Sequence, residues 1–353
     1  MVRATRTSPR PTITDVARAA GVSITTVSHA LNGRGFVDPA TREHVKQVAR
    51  KLEYRPNRHA QRLRGGGAHT IVLLSSMPFG VSAGPSRLGF LMEIAAVAAE
   101  AALTHGMALI LAPSLDGMPL PLDTLDVDGA LVLEPALNDR SVDYLREHGI
   151  PVVAIGKQPG SDRRSPYVDL HSATTTRILV EHLHAQGARH VALMIGSECR
   201  NSYVEAESAY RKFVEDTGMS CHIVRADEAG GEQSGYRAAL GLLSEHPEID
   251  AICVPVDAFA VGAVRAVTEM GRRVPADIKL ATRYNGLRAI NCSPPLTAVD
   301  QHLEQVALAA VQLLFAHLSG DTGQTAVAGP EPTLIVRASS AVEHASAETP
   351  PRR

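Results

Sequence analysis

The 353-residue sequence predicts an all-α helix-turn-helix head with a hinge helix, joined to a two-lobed α/β body. Three observations predict it. Residues 1–66 hold 13 Lys and Arg against 4 Asp and Glu, a formal charge of +9; the whole chain carries −2, so the remainder carries −11. Apolar residues recur at helical spacing through the first fifty residues. From Thr70 onward, short apolar runs alternate with helical stretches. The length suggests about two or three domains, and a basic module on an acidic body is the charge footprint of a nucleic-acid-binding head.

In the head, Ile13, Val16, Ala17 and Ala20 fall at i, i+3, i+4 and i+7, with Thr12 placed to cap the first helix and Gly21 to end it. Ser23 caps a second helix whose Val27, Ala30 and Leu31 face inward, with Gly33 at its end. A third begins at Asp38 with Pro39 at its first position, and buries Val45, Val48, Ala49 and Leu52. Two short helices joined by a glycine-containing turn predict a helix-turn-helix, whose second helix enters the DNA major groove. Ile24, Thr25 and His29 then face base edges, one apolar group suited to a thymine methyl and two able to hydrogen-bond. Thr26, Ser28 and Asn32 suit phosphates. Thr12 and Ser23 complete the DNA-binding set within residues 1–53, and Tyr54 joins it at the start of the next segment.

After Pro56, Asn57 can cap a helix of barely two turns, Arg58 to Leu63, before Gly65, Gly66 and Gly67. So short a helix is unstable alone. The run from Thr12 to Leu63 closely resembles the DNA-binding head and hinge of the LacI/GalR family of bacterial transcription regulators. That resemblance implies that residues 54–69 form a hinge, that two hinge helices pair in the minor groove, and that Leu63 wedges into a central base step, with Asn57, Arg58 and Ala60 beside it. An apolar wedge of this kind kinks the duplex, most easily at pyrimidine-purine steps.

The strands expected in the body are Thr70–Ser76, Met107–Pro113, Gly129–Pro135, Pro151–Gly156, His190–Gly196, Cys221–Asp227, Ala251–Asp257 and Lys279–Arg283. Such alternation predicts parallel sheets flanked by helices, with strands enough for two lobes. The body also resembles the LacI/GalR core, built like a periplasmic sugar-binding protein, most strongly in residues 235–281, in "PPLTAVDQ" and in "LIVRASS". The expected body is 70–341, with lobe 1 at 70–170 plus 298–326, lobe 2 at 171–297 plus 327–341, and a disordered tail at 342–353. A ligand should bind between the lobes, at the carboxyl ends of the strands. By position the candidates are Met77, Phe79, Arg87, Phe90 and Leu91 in and after the first strand loop, and Lys157, Tyr203, Asp257, Arg283 and Asn285 in the later ones. Phe90, Leu91 and Asp257 match family positions that meet the effector. Three family anchors are missing: Ala206, Val256 and Tyr284 stand where sugar- or purine-binding members carry Arg, Asn and Asp. The loss predicts an effector less polar than a free sugar, held in part by Tyr203, Arg283 or Asn285.

Other chemistries find little support. The absence of Trp argues against carbohydrate stacking surfaces, and the widely spaced Cys199, Cys221, Cys253 and Cys292 suggest neither a disulfide framework nor a metal site. His182 and His184 sit two apart on an expected helix and so point to different faces. No signal-peptide core and no apolar run of roughly 18 residues is present, which reads as cytoplasmic with no membrane partner. "GVSAG", Gly80 to Gly84, fits a nucleophile elbow at Ser82, but the expected strand ends several residues too early. The alternatives are therefore a hydrolase using Ser82 or a soluble small-molecule-binding protein. The reading favoured is a non-enzymatic DNA-binding regulator without cofactor, a homodimer on a pseudo-palindromic double-stranded operator, controlled by a small-molecule effector.

Overall fold

The computed structural model describes residues 12–32, 37–52, 67–82, 89–112, 125–160 and 165–341. The chain divides between Ala68 and His69 into two units. In the first, α1 (Ile13–Ala20), α2 (Ile24–Asn32) and α3 (Pro39–Lys51) form where the apolar spacing predicts them. Their starts satisfy N–H groups that a helix cannot pair internally. The Asp15 carboxylate accepts from the Thr12 backbone N–H at 2.9 Å and from its hydroxyl at 2.7 Å. Those bonds hold its carboxyl below the usual range. The Ser23 hydroxyl accepts from Thr26 N–H at 3.0 Å, and the Asp38 carboxylate from Thr41 N–H at 3.0 Å. Gly21 ends α1 in the left-handed conformation, φ 69°, which glycine adopts without strain. Val16, Ala17, Val27, Ala30, Val45 and Ala49 form the buried centre, flanked by Ile13, Val22, Leu31 and Leu52. The caps, each about 0.5–2 kcal/mol, add to what burial of this small core contributes.

The second unit holds two six-stranded sheets. The first contains β1 (Thr70–Ser75), β2 (Ala108–Ala112), β3 (Gly129–Leu133), β4 (Val152–Ile155), β5 (Tyr167–Asp169) and β11 (Ala326–Ala328), all parallel, in the order β11-β5-β4-β3-β1-β2. The second contains β6 (Val191–Gly196), β7 (His222–Ala226), β8 (Ala251–Val254), β9 (Lys279–Thr282), β10 (Thr297–Asp300) and β12 (Thr333–Ile335), in the order β12-β10-β9-β8-β6-β7. Only β12 runs antiparallel to its neighbour. Central strands such as β3 and β6 are buried at every residue, the pattern of parallel strands covered on both faces.

The helices of the body are α4 (Phe79–Ser82), α5 (Phe90–Thr104), α6 (Arg140–Glu147), α7 (Ser172–Ala185), α8 (Asn201–Thr217), α9 (Gly231–Glu245), α10 (Asp257–Glu269), α11 (Leu287–Asn291) and α12 (Leu303–Leu318). Helices α5 and α12 pack together on the first sheet. Helices α7 to α10 cover the second. Among the described residues, none is long and apolar enough to cross a membrane.

The chain crosses between the sheets after β5, after β10 and after β11. The crossings are tied to one another: His171 Nε2 lies 2.8 Å from Gly329 O, Gly329 N–H donates to Asp169 O at 3.0 Å, and Gln301 Nε2 to Leu170 O at 3.4 Å. Strand β10 runs to Asp300 in the second sheet and β11 to Ala328 in the first. Residues 298–300 and 327–328 therefore sit in the opposite lobe from the one expected, because the chain leaves each sheet only where its strand ends.

Candidate nucleic-acid interface and ligand cleft

On α2, burial separates two faces. Val27 and Ala30 are buried, whereas Ile24 is 42% exposed, Ser23 and Thr25 are exposed, and Thr26, Ser28 and His29 are half-buried. The Ser23 and Thr26 hydroxyls lie 2.8 Å apart, so they are engaged in the cap, and Ile24 and Thr25 are left as the outward groups of the first turn. Thr12 is exposed at the start of α1, and Asn32 is the last residue of α2. Tyr54, Asn57, Arg58, Ala60 and Leu63 lie outside the described residues, as does Arg87 of the cleft candidates.

In the body, charged residues just beyond several strands converge between the sheets. Glu134 follows β3, Arg200 lies beyond β6, Glu228 beyond β7, Asp257 beyond β8, and Arg283 directly after β9. Arg200 is 1% exposed. Its Nε and Nη2 donate to the Glu228 carboxylate at 2.8 and 2.6 Å, its Nη2 also to Ser76 O at 2.9 Å, and its Nη1 to Glu134 O. One guanidinium thus ties two turns of the first lobe to a carboxylate of the second. Burial opposes its charge, but hydrogen bonding and attraction to Glu228, aided by Glu134, outweigh that and keep it ionised. The Glu134 carboxylate accepts from Arg283 at 2.9 Å and from the Ser202 hydroxyl at 2.6 Å. Glu134 itself has φ 48°, a left-handed conformation that costs a non-glycine residue energy and that these bonds hold in place. Gly196 makes room for the cluster: a Cβ there would meet the Tyr203 ring at 2.5 Å and Glu228 Oε1 at 2.7 Å.

A second guanidinium, on α11, holds α4, the segment that leaves β1 and packs on the second lobe. Arg288 donates to Gly80 O at 3.0 Å and Val81 O at 2.9 Å, and reaches Asp257 Oδ1 at 3.3 Å. Burial raises the Asp257 carboxyl above its usual range, with Arg288 opposing. Tyr284 closes a third side, donating to Glu93 on α5 at 2.6 Å with its ring edge-on to Phe90 at 5.3 Å. Burial and the Glu93 bond keep that phenol protonated.

The cleft candidates fall into distinct environments. Tyr203, Asp257 and Arg283 meet in the charged cluster, and each carries a buried polar atom with no hydrogen-bond partner: Tyr203 Oη, Asp257 Oδ2 and Arg283 Nε. Phe90 and Leu91 are buried in the first lobe's core. Met77 packs in the second lobe's core with Val81, although its chain leaves β1 of the first. Phe79 is half-buried in α4. Lys157 is exposed, its Nζ 5.9 Å from the Tyr167 ring centre, and Asn285 accepts from Arg337. Of the departures, Ala206 and Val256 are core residues of the second lobe. Sequence reasoning missed Glu134, Arg200, Glu228 and Arg288. The position directly after a strand marks Glu134, whereas Arg200, Glu228 and Arg288 stand further along their loops, behind Glu198, Asp227 and Arg283, and nothing local in the sequence singles them out. Ser82 is buried in α4, its hydroxyl donating to Pro78 O at 3.2 Å, and His182 and His184 have separate partners, Ser340 and Ala188.

Comparison with known proteins agrees with both halves. Residues 12–57 match the pattern of bacterial regulatory proteins of the lacI family, and residues 180–340 that of a periplasmic binding protein-like domain. The regulator CelR of Thermobifida fusca is 30% identical, the alignment covering 94% of this chain and 98% of CelR. A PurR repressor of Erwinia tasmaniensis is also 30% identical, over 94% and 97%. The structure of a CelR-cellobiose complex superposes with a TM-score of 0.68 at 29% identity, covering 94% of this chain and all of that one. The lac repressor dimer bound to operator and an anti-inducer gives 0.75 at 24% identity, covering 95% and 100%, a likeness of fold. A helix-turn-helix head matched to one family and a two-sheet body aligned end to end with its members lead to one conclusion: the chain belongs to the LacI family of bacterial transcriptional regulators.

Proposed function

We propose that the protein binds a pseudo-palindromic operator as a homodimer, acts as a repressor, and changes its operator affinity when a small-molecule effector enters the cleft. The observation that carries this reading is the outward face of α2, with Ile24 and Thr25 exposed on a three-helix unit in the basic segment of the chain. Two-fold protein symmetry calls for two-fold operator symmetry. Leu63 serves as the minor-groove wedge, with Asn57, Arg58 and Ala60 beside it. A coupling of about 1–3 kcal/mol between cleft and operator suffices for a roughly 5- to 150-fold change in affinity.

The effector is uncharged and rich in hydrogen-bonding groups. The guanidinium groups of Arg200, Arg283 and Arg288 are already matched by the buried carboxylates Glu134, Glu228 and Asp257, with the more exposed Glu232 also reaching Arg288 at 3.6 Å. An ionised ligand would leave a net charge out of water, which is costly. The unpartnered atoms of Tyr203, Asp257 and Arg283 suit hydroxyl groups. These groups offset the loss of the polar anchors at Ala206, Val256 and Tyr284, which alone predicts a less polar effector. The relative CelR has a structure with cellobiose, a neutral polyol of this kind.

Selection of tight binders from a random duplex library by the purified chain tests the reading. An enriched pseudo-palindrome supports it, and release of that duplex by neutral oligosaccharides identifies the effector. Absence of enrichment, with and without added sugars, refutes it.

A further inference from the structure

We propose that the second lobe carries a binding site for a divalent transition-metal ion, formed by His222, His246 and Glu248. The site lies at the amino end of β7, an edge strand, whereas the ligand cleft lies beyond its carboxyl end, at Glu228. Five residues of strand separate the two by roughly 16 Å.

Two neighbouring elements supply the donors. His222 opens β7, and α9 ends at Glu245, followed by His246, Pro247 and Glu248. The three ligand atoms lie within 4.8 Å of one another: His246 Nδ1 is 3.3 Å and His222 Nε2 3.8 Å from Glu248 Oε1. The imidazole centres are 4.3 Å apart, the rings tilted by 57°. His222 is held from behind, because its backbone N–H donates to the Tyr210 hydroxyl at 3.0 Å, and that hydroxyl donates to Val191 O at 2.7 Å. Its side chain is only 12% exposed, against 41% for His246 and 43% for Glu248. One donor is fixed in the wall and two approach from the solvent side.

A surface ion pair between His246 and Glu248 leaves one group unexplained. His222 Nε2 is buried without a hydrogen-bond partner, a condition that is ordinarily destabilising. A cation at the centre of the three atoms bonds all of them. Two imidazoles and a carboxylate form a zinc donor set with a fourth position open to water, and imidazole equally suits copper, nickel and cobalt. Calcium and magnesium, which take oxygen ligands, are excluded. Tetrahedral bonds of about 2.0–2.2 Å put ligand atoms about 3.4 Å apart, within reach of small rotations of the two exposed side chains. Cys221 is not part of the set: adjacent strand residues face opposite ways, and its thiol lies 3.7 Å from Arg211.

The test uses the full chain, zinc and cobalt salts, and the variants H246Q and E248Q, both altered at exposed positions, with circular dichroism to verify that they fold. Equilibrium dialysis should give one zinc per wild-type chain. Losing a ligand should weaken binding by more than the about 10- to 100-fold typical of losing an outer-shell partner. Zinc should also raise the thermal midpoint of the wild type and not of the variants, since a ligand bound only to the folded state stabilises it. The cobalt form should show visible bands of nitrogen and oxygen ligation with no thiolate charge-transfer band. Unchanged zinc affinity in both variants, no binding by the wild type, or a thiolate band would each overturn the proposal.

Discussion

The head and the cleft use polar residues in opposite ways. On α2 the polar groups face outward, and the small core beneath them consists of Val and Ala. In the cleft, six charged side chains from both lobes are buried and tied to one another. The head can therefore exchange outward residues at little cost to its fold, and it reads a partner with them. The cleft cannot, because each charge there is held by one or two opposite charges in the same cluster. Specificity for DNA and stability are separable in the first region, whereas ligand response and stability are coupled in the second.

The sharpest way to break that contrast is Arg200→Ala. It strands Glu228 and frees the carbonyls of Glu134 and Ser76, and the loss of one partner from a buried pair costs about 3–5 kcal/mol. Urea denaturation should show this loss, and Glu228→Ala in the same background should cost much less than it does alone. Equal costs in both backgrounds would show the pair to be uncoupled. Next in size, Gly196→Ala drives a methyl group into the Tyr203 ring and Glu228. Overpacking of this kind costs about 1–3 kcal/mol, and effector response should fall while operator binding without effector persists. A variant with normal effector response would move the ligand away from Tyr203.

Tyr210→Phe tests the second lobe behind the cleft. Its hydroxyl bridges Val191 O and His222 N–H, and leaving those groups unpaired costs about 1–3 kcal/mol. Burial pushes the Tyr210 phenol up to about 12, from an ordinary value near 10. Between these pH values the folded chain retains a proton that the unfolded chain has released, so stability falls as pH rises through that window. The Phe variant should lose this part of the alkaline decline, as melts from pH 9 to 12 would show. A decline of unchanged steepness would assign it to other groups.

The smallest effect on stability is expected at the head. Thr25→Ala should change the unfolding free energy by less than about 0.5 kcal/mol, yet relax base preference at particular positions of the selected operator. An unaltered operator motif would show that the reading face lies elsewhere.

The two regions also differ in how much the sequence alone reveals. Thr12, Ser23 and Asp38 are recognisable as caps because each partner lies three residues away. Val16, Val27 and Val45 are recognisable as core because helical period places them inward. Eight strands of the body are similarly visible as apolar runs, but β5, β10, β11 and β12, each of three or four residues, are too short to stand out. The cleft is not: Arg200 meets Glu134 across 66 residues of chain and Arg283 meets Glu134 across 149. The proposed metal ligands are hidden for the same reason, His222 and His246 being 24 positions apart with no repeated spacing to mark them.

Sequence by itself determined the helices of the head, the alternation of strands and helices in the body, and the basic charge of the first 66 residues. Each is a property of neighbours along the chain, set by periodicity, caps and composition. Only the tertiary structure decided which sheet β10 and β11 join, and which charged residue beyond each strand finds which partner. Those choices depend on burial, where a charge is tolerated only if an opposite one meets it, and that meeting is arranged by parallel strands bringing distant segments to one edge.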